Sequence, residues 1–260
     1  MRFNNFDDAI RTALDMMPRL PNVHTEKWQA TDVSKNPAAA MHEILFYDLK
    51  VPLITEDLTC YVKDIKPDLP WADDHFFERV SGKPLNPPPS EAWWPHSPQG
   101  NAAFKKDEVF SHTYPERYWP KEASKHQRLM SGIRYGYGDL GDLINLLMRE
   151  PDTRQAYLPV WFPEDTGNRN EVRLPCSLGY WLVMRDRKLH MMYHIRSCDY
   201  HRHFRNDIYM TVRLLLWVLD QCRLRAIIGD YDWRSVTPGL FTMHIGSLHC
   251  FTNDYRELRK

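Results

Sequence analysis

The sequence contains no apolar run long enough to cross a bilayer. Its most apolar stretch, 214–219, falls far short of the roughly 20 residues that a membrane helix needs. It has no excess of charge of either sign, with 34 basic against 34 acidic side chains, so no global field favours nucleic acid or an anionic membrane as a partner. A local cluster of arginines would still suffice for an anionic small molecule. There is no C-x-x-C pair, and the five cysteines (Cys60, Cys176, Cys198, Cys222, Cys250) are odd in number and widely spaced. That argues against a disulfide framework and a structural zinc site, and a reducing cytoplasm is expected. Residues 1–17 carry charges throughout and lack the continuous apolar core of a signal peptide, so no secretory signal is expected. No internal repeat and no dividing linker are visible, and one α+β domain over 1–260 is the reading.

What the sequence does have is nine tryptophans and 19 prolines, which suggest ordered, aromatic-rich loops. Apolar spacing predicts helices over 5–17, 71–81, 138–150 and about 208–222. Strand signals fall at 43–53, 177–185 and 188–196, and the last two are separated only by Asp186-Arg187, a joint of hairpin length that carries no glycine. The stretch 83–120, within a less readable region reaching 130, is rich in proline and tryptophan. It reads as a long functional loop or an insertion.

Chemistry concentrates after residue 170. Cys176, in Arg173-Leu174-Pro175-Cys176-Ser177, stands just ahead of a buried strand. Taken alone it reads as an inert small hydrophobe. A reactive cysteine needs positive charge nearby to lower its pKa from about 8.5. Antiparallel pairing of the two strands would return Arg196, in Arg196-Ser197-Cys198-Asp199, towards that cysteine.

These residues resemble the core signature of the thymidylate synthase superfamily. There a Pro-Cys precedes a strand and an Arg-Ser-x-Asp closes the next. The likeness extends to Tyr135-Gly136, Pro151-Asp152-Thr153-Arg154, Asp207-Ile208 and Gly246-Ser247-Leu248-His249, is continuous over about 130–255, and is loose before 130. It implies a large mixed β-sheet packed with helices and a sheet-to-sheet homodimer. It also implies transfer of a one-carbon unit from 5,10-methylenetetrahydrofolate to C5 of a pyrimidine nucleoside monophosphate. Cys176 would attack C6 of the ring. Arg196 and Ser197 would hold the 5′-phosphate, with Arg196 also favouring the thiolate, and Asp199 would close the motif. Arg154 would reach the partner subunit's phosphate; the second arginine usual in the family is Gln155 here. His249 would bind the sugar 3′-hydroxyl, although Phe251 replaces a tyrosine that adds a second sugar contact. Tyr135 matches a tyrosine that helps remove the C5 proton, or is a packed core residue. The catalytic glutamate corresponds to Glu78 on the 71–81 helix, with Glu43 as the rival and a solvated surface carboxylate as the plain reading of either. Trp93 or Trp94 would wall the folate site.

The base-reading position of thymidylate synthases is an asparagine, whose amide matches the uracil edge. Eight residues after Asp199 this chain has Asp207 instead. A carboxylate accepts from the N4 amino group of cytosine but meets O4 of uracil acceptor to acceptor. Phe204-Arg205-Asn206-Asp207 is also similar to the run in the deoxycytidylate hydroxymethylases of T-even phages, for which the compartment would be the bacterial host cytoplasm. A one-residue shift of register would make Asn206 the reader and restore uracil. The chain ends soon after His249, without the C-terminal tail that closes over folate in thymidylate synthases. A more open site would favour water over hydride in the last step, giving 5-hydroxymethyl-dCMP. The alternatives are hydroxymethylation or methylation of dUMP, a non-catalytic nucleotide-binding protein, and a zinc enzyme using His190, His194, His201 and His203. No carboxylate or cysteine set completes a recognisable zinc site, so no metal is expected.

Overall fold

The structure, a computed structural model, describes residues 1–28, 31–96, 105–126, 136, 138–166, 173–227 and 231–259. It is a mixed α+β fold built on one six-stranded sheet. Its strands, in chain order, are β1 (Asn22–Val23), β2 (Met41–Pro52), β3 (Tyr157–Pro159), β4 (Ser177–Arg185), β5 (Lys188–Asp199) and β6 (Thr237–Phe251). They lie in the order β1-β2-β6-β5-β4-β3, and every pairing is antiparallel except the parallel one between β5 and β6. The helices are α1 (Phe6–Met16), α2 (Leu58–Ile65), α3 (Trp71–Val80), α4 (Tyr114–Tyr118), α5 (Pro120–His126), α6 (Leu140–Arg149), α7 (Pro163–Thr166), α8 (Arg205–Arg225) and α9 (Thr252–Leu258). Two short hairpins lie outside the sheet. Among the described residues no helix is long and apolar enough to cross a membrane.

Strict alternation makes β4 and β5 two-faced. Tyr180, Leu182 and Met184, with Leu189, Met191, Tyr193 and Ile195, are buried beneath helices. Trp181, Val183, Met192 and His194 point the other way and keep partial exposure, as do His244 on β6 and Asp48 on β2. The β4–β5 joint closes with positive φ at Asp186 and Arg187, 50° and 55°, the geometry that matches strand twist even without glycine. Helix α8 is buried on nearly all sides, from Ile208 through Leu215 to Cys222. It therefore runs through the core, between β5 and β6 on one side and α2, α3 and α6 on the other. Helix α3 stops at Ser81, followed by Gly82 with φ +77°, as Pro84 and the glycine suggest.

The proline-rich region, read from sequence as a long functional loop or an insertion, contains regular elements. It holds a 3-10 turn, Pro89–Trp93, a short hairpin, and helices α4 and α5. Helix α4 begins with a reciprocal cap between Thr113 and Glu116, with Pro115 in its first turn, where a missing N–H costs nothing. Arg117 of α4 then anchors the region to α7 through a buried, two-pronged pair with Asp165, at 2.8 and 2.9 Å.

One irregularity crosses four strands at the same level. Strand β4 carries an extra residue at Leu178, between the pairs Ser177–Ile195 and Gly179–His194. The β5–β6 ladder skips Arg196 and Gly246, and the β6–β2 ladder skips Gly246 and Phe46. Phe46 has φ +55° and is 84% exposed, and a Cβ on Gly246 would come within 2.7 Å of the Arg196 carbonyl. Beyond this level the buried parity flips. In β6 it passes from Phe241, Met243 and Ile245 to Leu248 and Cys250, in β2 from Tyr47 to Ile44, and in β5 from Ile195 to Cys198. The flip turns Ser197, Asp199, Ser247, His249 and Glu43 onto one face, in the cross-strand rows Ser197–Ser247 and Asp199–His249–Glu43.

Candidate active site

Cys176 lies opposite Arg196 at the mouth of β4, where the Arg196 amide donates to the Cys176 carbonyl at 2.9 Å. The Arg196 side chain folds back over the same loop, donating from Nε to the Pro175 carbonyl at 2.9 Å and from its fork to that of Leu174 at 3.3 Å. From the other side, Ser111 Oγ and His112 Nδ1 donate to the Arg173 carbonyl at 2.7 and 3.1 Å. Arginine and cysteine are therefore held together by backbone contacts rather than by chance approach. The electrostatic outcome departs from the sequence expectation in one respect. Arg196 and Arg173 do pull the thiol towards ionisation, but burial pushes it up by more, with help from Asp207 and Asp199. At neutral pH the raised pKa leaves Cys176 a protonated thiol, and it is partly exposed to solvent.

Asp207, in the first turn of α8, shares this environment. Cys198 Sγ approaches its Oδ2 at 3.6 Å. Burial pushes the carboxyl up to about 6, opposed by Arg79 and by the Cys198 contact. Asn206, the alternative base reader, faces elsewhere. It accepts from the Asp68 amide at 2.9 Å and donates to the Asp68 carboxylate at 2.8 Å, so both ends of its amide are engaged. Of the two neighbours, Asp207 is the one beside the cysteines.

Asp199 makes a turn. Its carboxylate accepts from the amides of His201 and Arg202, at 2.9 and 3.0 Å, and from the Arg202 guanidinium at 2.8 Å. This caps the π-helical turn Tyr200–Phe204 that leads into α8. Burial opposes its charge, but Arg202, His203 and His249 outweigh it and keep the carboxylate below its ordinary range. Next to it His249 is buried, and desolvation lowers its imidazole pKa against the pull of Asp199 and Glu43. The Phe251 ring meets His249 edge-on at 6.0 Å. Ser247, paired with Ser197, donates its hydroxyl to Glu43, so the rival glutamate belongs to the Ser197–His249 face.

Glu78 has a different setting. It accepts from the Ser90 amide at 2.7 Å and hydroxyl at 2.5 Å, and His75 Nδ1 lies 3.4 Å away. Burial opposes its charge, but these contacts hold its pKa down, whereas burial lowers that of His75 to about 4. A chain of ring contacts links this cluster to the turn capped by Asp199. His75 stacks on Trp71, Trp71 tilts against Trp94, and Trp94 stacks on His203 at 4.9 Å and 16°. Trp94 thus joins the site, while Trp93 is 41% exposed.

Arg154 is exposed on the turn after α6, and its carbonyl accepts from Trp181 Nε1 at 3.0 Å. Trp181 is five residues along β4 from Cys176, roughly 17 Å at about 3.3 Å per residue, so Arg154 is remote from its own chain's cysteine. Tyr135 lies outside the described residues. Two surface depressions, one formed by 150–155 and one between Arg2, Lys50, Lys188 and Thr237, do not include Cys176. Neither depression joins a nucleophile to a perturbed carboxyl, as Cys176 and Asp207 do. Among the described residues no group of three or more His, Cys, Asp or Glu side chains is arranged to hold a metal.

Sequence reading missed Arg79 and Tyr114. Arg79 is buried over the Tyr114 ring, 4.2 Å from its centroid. Tyr114 in turn accepts a hydrogen bond from Ser177, the residue after the cysteine, at 3.2 Å. The signal was available for the arginine, since Ala72, Phe76 and Arg79 share the buried stripe of α3. No family model matches the chain.

Proposed function

We propose that the chain is a folate-dependent pyrimidine nucleotide C5-transferase of the thymidylate synthase type, converting dCMP to 5-hydroxymethyl-dCMP. The observation that carries this reading is the meeting of Cys176, Arg196 and a partly buried, desolvated Asp207 in one place. A thiol beside an arginine suits covalent addition to a ring whose phosphate the arginine binds, and a buried acceptor suits an amino-bearing base. Cys176 adds to C6, which makes C5 nucleophilic. Arg196 and Ser197 hold the phosphate monoester, His249 takes the sugar hydroxyl, and Trp94 offers an aromatic wall to the pterin. Methylenetetrahydrofolate supplies the one-carbon unit that C5 receives, and water completes the product. Glu78, kept ionised by Ser90 and His75, serves proton transfer at the ring.

The test is direct. Incubated with methylenetetrahydrofolate and dCMP, the protein should yield a hydroxymethylated nucleotide by mass spectrometry. A methylated product, or turnover of dUMP alone, would replace this reading with a thymidylate synthase or a dUMP hydroxymethylase. Binding of dCMP without exchange of its C5 proton would leave a nucleotide-binding protein.

The reading includes a homodimer packed through the partly exposed sheet face that bears Trp181, Met192, His194 and His244. Arg154 is on that face and remote from its own Cys176, which favours service to a partner's phosphate. An Arg154→Ala protein and a Cys176→Ala protein, each inactive alone, should recover activity on mixing, because one hybrid site keeps both residues. Retention of full activity by Arg154→Ala would remove the shared site from the proposal.

A further inference from the structure

Arg79 stands on the last turn of α3 and is 4% exposed. Buried guanidinium groups are ordinarily matched by a carboxylate, because an unpaired internal charge is costly. Among the described residues none makes an ion pair with Arg79, and its Nε–H is buried without a partner. Around it are Tyr114, Tyr118, whose hydroxyl shares a hydrogen bond with the guanidinium, and Tyr180, and the carboxylate that acts on it is that of Asp207. Among the described residues, the Asp207 carboxyl has the weak Cys198 thiol as its hydrogen-bond partner. A buried cation and a partly buried carboxyl thus influence each other without an ion pair between them, the first with an unused Nε–H donor and the second with acceptor capacity to spare among the described residues. Asp207 acts on the thiol that the mechanism uses, and Arg79 is linked to it through the Tyr114 ring and Ser177, the residue after the cysteine.

We propose, resting on the pyrimidine nucleotide reading above, that Arg79 contacts the base. It donates to the N3–O2 edge of cytosine while Asp207 accepts from the N4 amino group. The pair then reads one edge with a donor and an acceptor in the order that cytosine requires. Uracil presents N3–H to the arginine, donor against donor, and O4 to the carboxylate. Arg79 also bears on the chemistry. When the thiolate sulfur bonds to C6, the C5–C6 π pair becomes the C4–C5 π bond, and the C4–N3 π pair moves onto N3 and spreads to O2. No co-reactant is needed, and negative charge develops on the edge that Arg79 faces. A fixed buried cation there stabilises the adduct more than the free base.

The experiment follows tritium release from C5 of dCMP and of dUMP in Arg79→Met and Arg79→Lys proteins, beside the ¹⁵N spectrum of arginine Nε–H groups in native protein. Arg79→Met should lose at least about a hundredfold in kcat on dCMP, with KM changed less, and Arg79→Lys should regain part of it. The preference for dCMP over dUMP should fall in Arg79→Met. In native protein the Arg79 Nε–H resonance should move downfield on adding dCMP, a readout that stands even where Arg79→Met does not fold. A folded Arg79→Met with native kcat and native base preference would overturn the assignment. So would an unmoved Nε–H resonance in native protein that turns dCMP over. Native protein that neither binds nor turns over either nucleotide would overturn the parent reading, and this assignment with it.

Discussion

Replacing Cys176 by serine is expected to lower tritium release from C5 of dCMP by at least about a thousandfold, with nucleotide affinity within about threefold of native. The hydroxyl is a far weaker nucleophile at neutral pH, yet it leaves the Arg196 contacts with Leu174 and Pro175 intact, so the proposed phosphate subsite should survive. Retained exchange would refute the assigned nucleophile. The native protein should also show a signature in pH. Burial holds the Cys176 pKa above its ordinary value despite Arg196 and Arg173. The thiolate fraction, and with it the exchange rate, therefore grows as pH rises from neutral to alkaline. Arg196→Met removes the larger of the two opposing charges and should displace that rise to still higher pH. A profile flat across the neutral range would mean that another group limits the reaction.

How far these features could be read in advance depended on whether their cause is local. Alternation in β4 and β5, and the apolar faces of α6 and α8, are carried by neighbouring residues, and the strands and helices fall where that periodicity puts them. The return of Arg196 to Cys176 followed from a two-residue hairpin joint. The break at Leu178, Arg196, Gly246 and Phe46 was not legible, because it exists only once four strands are aligned. That break, more than any motif, brings Ser197, His249 and Glu43 onto one face. On α3 the sequence drew attention to Glu78, whose bonds run to Ser90 and His75. Arg79, one residue further and therefore rotated by about 100°, lies over Tyr114 instead and acts on Asp207 only through its charge. Helix α4 was hidden because prolines marked the region as loop, whereas Pro115 sits where a helix accepts one.

Asp207→Asn is expected to move base preference from dCMP towards dUMP by about a hundredfold or more, since the amide offers a donor where the carboxylate offers only acceptors. An unchanged ratio would mean that the base is read elsewhere. Burial pushes the native carboxyl up to about 6, so discrimination should itself depend on pH. Above that value the carboxylate rejects O4 of uracil, and below it the protonated acid can donate to O4 and the preference for cytosine weakens. The same shift has a stability consequence of definite sign. A carboxyl raised from 3.8 to about 6 by burial favours the fold only while protonated, and that contribution is lost as pH rises through the two values. Ionisation of the buried group costs roughly 3 kcal/mol at neutral pH, at about 1.4 kcal/mol per unit. The substituted amide carries no charge to bury, so the Asp207→Asn protein should melt higher than native at pH 7, and the gap should close as pH falls towards 4. A substitution that raises stability while changing which base is accepted is the behaviour of a residue kept for its chemistry, and one melting curve at each pH tests it apart from any assay of turnover.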